Sequence, residues 1–147
     1  MVNNTTDLGR ALIMEMGLSM DNDHVLYDQD TYTPISYQGK RVKYSSTDPD
    51  KLYIGEGDVL FDPVHNYHMM LSMLGYYIDK EKEAGNLDAI APYSITAKDK
   101  TTAHGIKCEH GECVESDYYH NRCLGICDVI LKRSYDDINI HQFDDEN

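Results

Sequence analysis

The segment from Asp62 to Asn86 constrains the fold more than any other part of the chain. Asp62 and Pro63 read as a cap and a first-turn proline, and Gly85 and Asn86 as a stop, so the pattern predicts one helix running to about Ala84. Val64, Tyr67, Leu71, Leu74 and Ile78 recur at three and four residues, and Met70, Met73 and Tyr77 widen the apolar stripe. A face that broad has to be covered, so this helix is expected to be the central beam of a core. Its last turns, Asp79 to Glu83, are charged and should be solvated.

Around this beam the remaining elements are short. Leu8, Ala11, Leu12 and Met16 share one face of a helix expected over Thr6 to Met16, capped by Thr5 or Thr6 and stopped by Gly17. Val25 to Tyr27, Pro34 to Tyr37 and Val42 to Tyr44 read as strands of a meander, and Leu52 to Ile54 with Val59 to Phe61 as a hairpin around Gly55 to Asp58. Beyond the beam, Asp88 to Pro92 reads as a short helical turn, Tyr93 to Thr96 as a strand, Lys98 to Thr102 as a polar connector, and Val129 to Leu131 as a strand. The aspartates at 21, 23, 28 and 30 lack the glycine and distal glutamate of a calcium loop, so they read as solvated turn residues.

The strongest chemical signal is a cluster of thiols. All four cysteines, Cys108, Cys113, Cys123 and Cys127, fall in one stretch, with His104, His110 and His120 in or beside it. Thiolates and imidazoles are the usual ligands of structural zinc, and Gly105, Gly111 and Gly125 would let the chain turn tightly around an ion. The expected ligands are the four cysteines, with His110 or His120 as substitutes. Neither cysteine pair has the two-residue gap of a zinc knuckle, so disulfides and reduced, buried thiols stay open as competing readings. His65 and His68 lie three apart, a spacing that suits two imidazoles on one metal, but no glutamate accompanies them as a metalloprotease helix requires. Polar-face histidines are the preferred reading there.

Charge narrows the partners. The formal charge of −13, from 26 acidic against 13 basic residues, disfavours binding to a phosphate backbone, which relies on Lys and Arg. No apolar run approaches the roughly 20 residues of a membrane helix, and Met1 to Asp7 lacks the basic and apolar regions of a signal peptide. Nucleic acid and membrane are therefore not expected, and the expected setting is the cytoplasm or a virion. Twelve tyrosines against two phenylalanines suit half-polar, half-apolar contact surfaces.

These readings combine into an α+β fold of short antiparallel strands packed on one long helix. Residues 1–133 form a single domain in this reading, with a zinc-stabilised knob at 104–127, and 134–147 form an acidic tail that either adds an edge strand to a partner or stays loose. The expected role is that of a non-enzymatic structural or assembly subunit whose partners are other proteins. The stretch from Tyr27 to Thr31 and on to Gly39 and Lys40 resembles small structural proteins of tailed phages, which would make the chain a virion component. Two alternatives are an acidic DNA-mimicking inhibitor of a nucleic-acid enzyme, and a small metal-dependent hydrolase using His65, His68 and an aspartate.

Overall fold

A computed structural model describes residues 4–16, 18–20, 26–28, 36–37, 40–44, 52–54, 59–60, 62–86, 88–109, 114–132 and 139–144. The chain divides into two compact units, Met1–Pro63 and Val64–Asn147. It is an α+β protein with antiparallel sheets.

In the first unit, helix α1 (Thr5–Glu15) is capped by Asn4, whose side-chain oxygen accepts from the Asp7 amide at 2.8 Å. The cap lies one residue before the expected threonines. Leu8, Ala11, Leu12 and Met16 are buried as their spacing requires, and Ile13 joins them. Strands β1 (Leu18–Met20) and β2 (Leu26–Asp28) pair, and β3 (Ser36–Tyr37), β4 (Lys40–Tyr44), β5 (Leu52–Ile54) and β6 (Val59–Leu60) form an antiparallel meander in chain order. Strand β1 carries no period of its own in the sequence, because Leu18–Met20 is three residues long and follows the helix closely.

The second unit holds helix α2 (Tyr67–Glu83), strands β7 (Ala89–Thr96), β8 (Thr102–Cys108) and β9 (Val114–Glu115), helix α3 (Arg122–Leu131) and a 3-10 turn at Ile140–Phe143. α2 starts later than Asp62-Pro63 suggests, because Asn66 is the cap and accepts from the Met69 amide at 3.1 Å. It stops where expected. Gly85 takes a left-handed φ of 77°, its amide bonds Lys82, and the Asn86 amide bonds Glu81 at 2.9 Å, closing the orphan carbonyls of the last turn. Met69, Met70, Met73, Leu74, Tyr77 and Ile78 are buried, whereas Leu71 is 40% exposed, so the apolar stripe runs along the methionine side.

The three-stranded sheet has the order β7-β8-β9, and α3, rather than α2, is the helix that packs on its central strand. α2 packs in turn on α3 and reaches β7. Val129–Leu131 therefore belongs to a helix and not to the expected strand. α3 is buried almost all round, including Cys123, Leu124, Ile126, Cys127, Val129, Ile130 and Leu131, and this hides the helical period that would have marked it in the sequence.

Asp88 to Pro92, expected as a helical turn, instead enters β7. The β7–β8 turn is a three-residue loop in which Ala97 accepts from the Lys100 amide at 2.9 Å and donates to Thr101 at 2.8 Å, with Lys100 at φ 69°. Asp99 locks it by accepting from both the amide and the hydroxyl of Thr101. The Ala97–Thr101 bond also sets the phase of the ladder: with Tyr93 opposite Gly105, residues 91, 93 and 95 bond β8, and Pro92 turns its donorless nitrogen outward, where an edge strand tolerates it. On one face of the sheet Tyr93, Gly105 and Glu115 form a row. The Tyr93 ring lies across Gly105, and its hydroxyl donates to Glu115 at 3.3 Å. A Cβ at Gly105 would overlap that ring.

Candidate functional site

Alternation along β8 turns His104 to the face opposite Gly105, toward α3. The imidazole is 2% exposed. Its Nε2 meets the Tyr67 hydroxyl at the head of α2 at 3.1 Å, with the two rings edge to face. The Arg122 guanidinium, from the first turn of α3, lies 4.1 Å over the Tyr67 ring centroid. The backbone amide of His104 donates to Ser116 Oγ at 2.9 Å, and that hydroxyl donates to the Asp117 carbonyl at 2.8 Å. Ser116 can reach in this way because the third strand bulges: the Thr102–Tyr119 bridge and the Gly105–Glu115 pair are spaced by three residues on one side and two on the other.

On the far side of the ring, Nδ1 has no hydrogen-bond partner. It abuts Gly125 so closely that a Cβ there would sit 2.9 Å from Nδ1 and 3.2 Å from Ser116 Oγ. Gly125 therefore acts as a slot in α3 that accepts the imidazole edge. Burial, and then the nearby Arg122 charge, push the His104 pKa below the ordinary histidine value, so the ring is neutral at neutral pH.

A second set of polar groups fastens the head of α3. Asn121 caps the helix by accepting from the Cys123 amide at 2.9 Å, and its side-chain nitrogen donates to the Val64 carbonyl at 2.7 Å. The two preceding donors, the amides of His120 and Asn121, bond the Asp144 carboxylate at 3.0 and 2.9 Å, an anion held at a helix N-terminus. Ile140 is buried, and His141 stacks on Tyr119 with ring centroids 4.4 Å apart. Asp128 accepts from the Asp117 amide and from the Tyr119 hydroxyl. Burial and the Asp128 charge raise the Tyr119 pKa far above the usual phenol range, which keeps Tyr119 a neutral donor. His141 also pairs with Asp117 at 3.1 Å, but both side chains are more than half exposed, so the pair adds little stability.

The cysteines are distributed over this frame. Cys108 is half-buried at the end of β8, whereas Cys123 and Cys127 are buried one turn apart on α3; none of the three is in a disulfide. Cys113 and His110 lie outside the described residues. Among the described residues, no three metal-ligating side chains converge on one point. His120 is exposed, as are His65, in the turn before α2, and His68, in its first turn. Of the described histidines singled out in the sequence, only His104 is built into the interior. Its partners Tyr67, Ser116, Arg122 and Gly125 come from three other segments, and no local spacing links them.

The arrangement is that of an α+β protein whose central buried histidine joins two helices to a sheet. Comparison with protein-family models, with curated proteins and with solved structures finds no match. Among the described residues no helix is long and apolar enough to cross a membrane.

Proposed function

We propose that the protein is a non-enzymatic structural or assembly subunit that works through contacts with other proteins. The observation that carries this reading is the use made of the polar side chains around β8. His104 is 2% exposed, burial displaces its pKa downward, and its neighbours Tyr67 and Ser116 are engaged with it. A general base must reach a substrate proton directly or through one water. A ring packed edge-on against Gly125 is out of such reach, and its bonds serve to hold layers together. Tyr119, Asp128 and Asp144 are likewise spent on ties within the chain. The hydrolase alternative draws no support from His65 and His68, which are both exposed.

The test is the mass of the native species in its natural setting, measured by light scattering after gentle extraction and followed by stoichiometry from quantitative mass spectrometry. A discrete complex with a fixed ratio of this chain to a second protein is the expected result. A monomer at native concentration, with a turnover abolished by Tyr67→Phe, would overturn the reading.

A further inference from the structure

We propose that His104 is an acid-sensitive fastener, and that protonating its buried imidazole loosens α3 from β8. The buried Nδ1 of His104 is orphaned. In the tautomer with the proton on Nε2, that N–H donates to the Tyr67 oxygen and Nδ1 presents a lone pair to Gly125. In the other tautomer a buried N–H would lack an acceptor, which costs more than an idle lone pair. The first arrangement is therefore the resting one. An added proton has one place to go, Nδ1, where it creates a cationic donor aimed at a helix backbone whose carbonyls are already bonded.

Among the described residues, no carboxylate offsets that charge. From the head of α2 the ring meets the Tyr67 hydroxyl, while His65 and His68 are exposed. From α3 it meets Gly125 and the Arg122 charge, which repels a second cation. Cys127 and Asp128, on the same helix, act on Tyr119. From the third strand it meets Ser116; Glu115 is engaged with Tyr93 on the opposite face of the sheet, and Asp117 with His141. Across β7 its partner is Ser94. The Asp144 carboxylate is held at the amides of His120 and Asn121.

The direction follows from linkage. A histidine whose folded-state pKa is depressed binds its proton more readily when unfolded. The stability it contributes is complete above the unfolded value of about 6.5 and is lost as pH falls below it. With one extra proton bound on unfolding, the unfolding constant rises by up to about tenfold per pH unit below that value until the folded pKa is reached.

The experiment is urea unfolding of the full chain between pH 7.5 and pH 5, for wild type and His104→Gln, with the His104 Cε1 proton followed by NMR in the folded protein. The expected result is a wild-type unfolding constant that rises more steeply by one proton than that of the variant, with the His104 signal unmoved through pH 6.5. Parallel slopes, or a His104 signal that titrates around 6.5 in the folded protein, would overturn the proposal. Arg122→Gln gives a second reading should the first variant fail to fold. Removing the neighbouring charge should raise the His104 titration midpoint and shrink the excess slope, and an unchanged slope counts against the proposal.

Discussion

Replacing Gly125 by alanine sets a helix-propensity gain against a collision. In an exposed helix interior this change stabilises by about 1 kcal/mol. Here the new Cβ would lie 2.9 Å from His104 Nδ1 and 3.2 Å from Ser116 Oγ, well inside an ordinary contact of about 3.5–4.0 Å. The ring cannot retreat freely, because Nε2 is held by Tyr67 and the His104 amide by Ser116. Overpacking of a filled interior costs about 2 kcal/mol, and a loosened hydrogen bond about 1 kcal/mol more. After the propensity gain, a net loss of about 2 kcal/mol remains. Gly75→Ala is the internal control: Gly75 is an exposed position on α2 with nothing within 4 Å of its would-be Cβ, so that variant should gain about 1 kcal/mol. The assay is urea unfolding at pH 7.5, followed by circular dichroism at 222 nm, with the slope checked for constancy. The two variants should differ by about 3 kcal/mol. Equal stability of Gly125→Ala and Gly75→Ala would refute the tight seat for His104.

Three further outcomes follow from local geometry. Lys100→Gly should stabilise by about 1 kcal/mol, because φ 69° strains an L-residue but not glycine; a drop in the urea midpoint would mean that the lysine side chain makes a contact of its own. Asp144→Ala should cost about 1 kcal/mol and speed hydrogen exchange at the amides of His120 and Asn121, and unchanged exchange there would show that the carboxylate is not their acceptor. Burial sets the order of labelling among the described thiols: Cys108 should react before Cys123 and Cys127, which become accessible only as α3 opens. Metal analysis of the same sample, purified without chelator, tests the zinc expectation directly; about one zinc per chain would require Cys108 to be shielded until chelation.

Local order was written plainly in the chain. The three- and four-residue rhythm from Tyr67 to Ile78, the Gly85-Asn86 stop and the α1 stripe each depend on neighbours in sequence, and a single sequence carries that information. The differences from the sequence expectations have separate physical origins. Val129–Leu131 suggests a strand because three β-branched or leucine side chains in a row look alike in a buried strand and in a helix buried on all sides. The Asp62-Pro63 pair looked like a helix start because Asp and Pro favour that position, but Asn66 holds the cap. Leu71 fits the stripe by spacing yet lies outside it, because the surface that α2 meets is set by α3.

The cysteine cluster marks the limit more sharply. Spacing groups Cys108, Cys113, Cys123 and Cys127 as one chemical unit; among the described residues the fold puts Cys108 at a strand end and Cys123 and Cys127 on a helix stripe, and metal analysis decides whether they share an ion. The residues that meet at the centre, Tyr67, His104, Ser116, Arg122 and Gly125, span most of the second unit, and each has an unremarkable local context. The sequence by itself determined the acidic balance, the periods of α1 and α2 and the stop of α2, since these follow from composition and from contacts within a few residues. Only the tertiary structure decided which histidine is buried, which glycine makes room for it and which helix covers the sheet, because those outcomes come from packing between segments far apart in the chain.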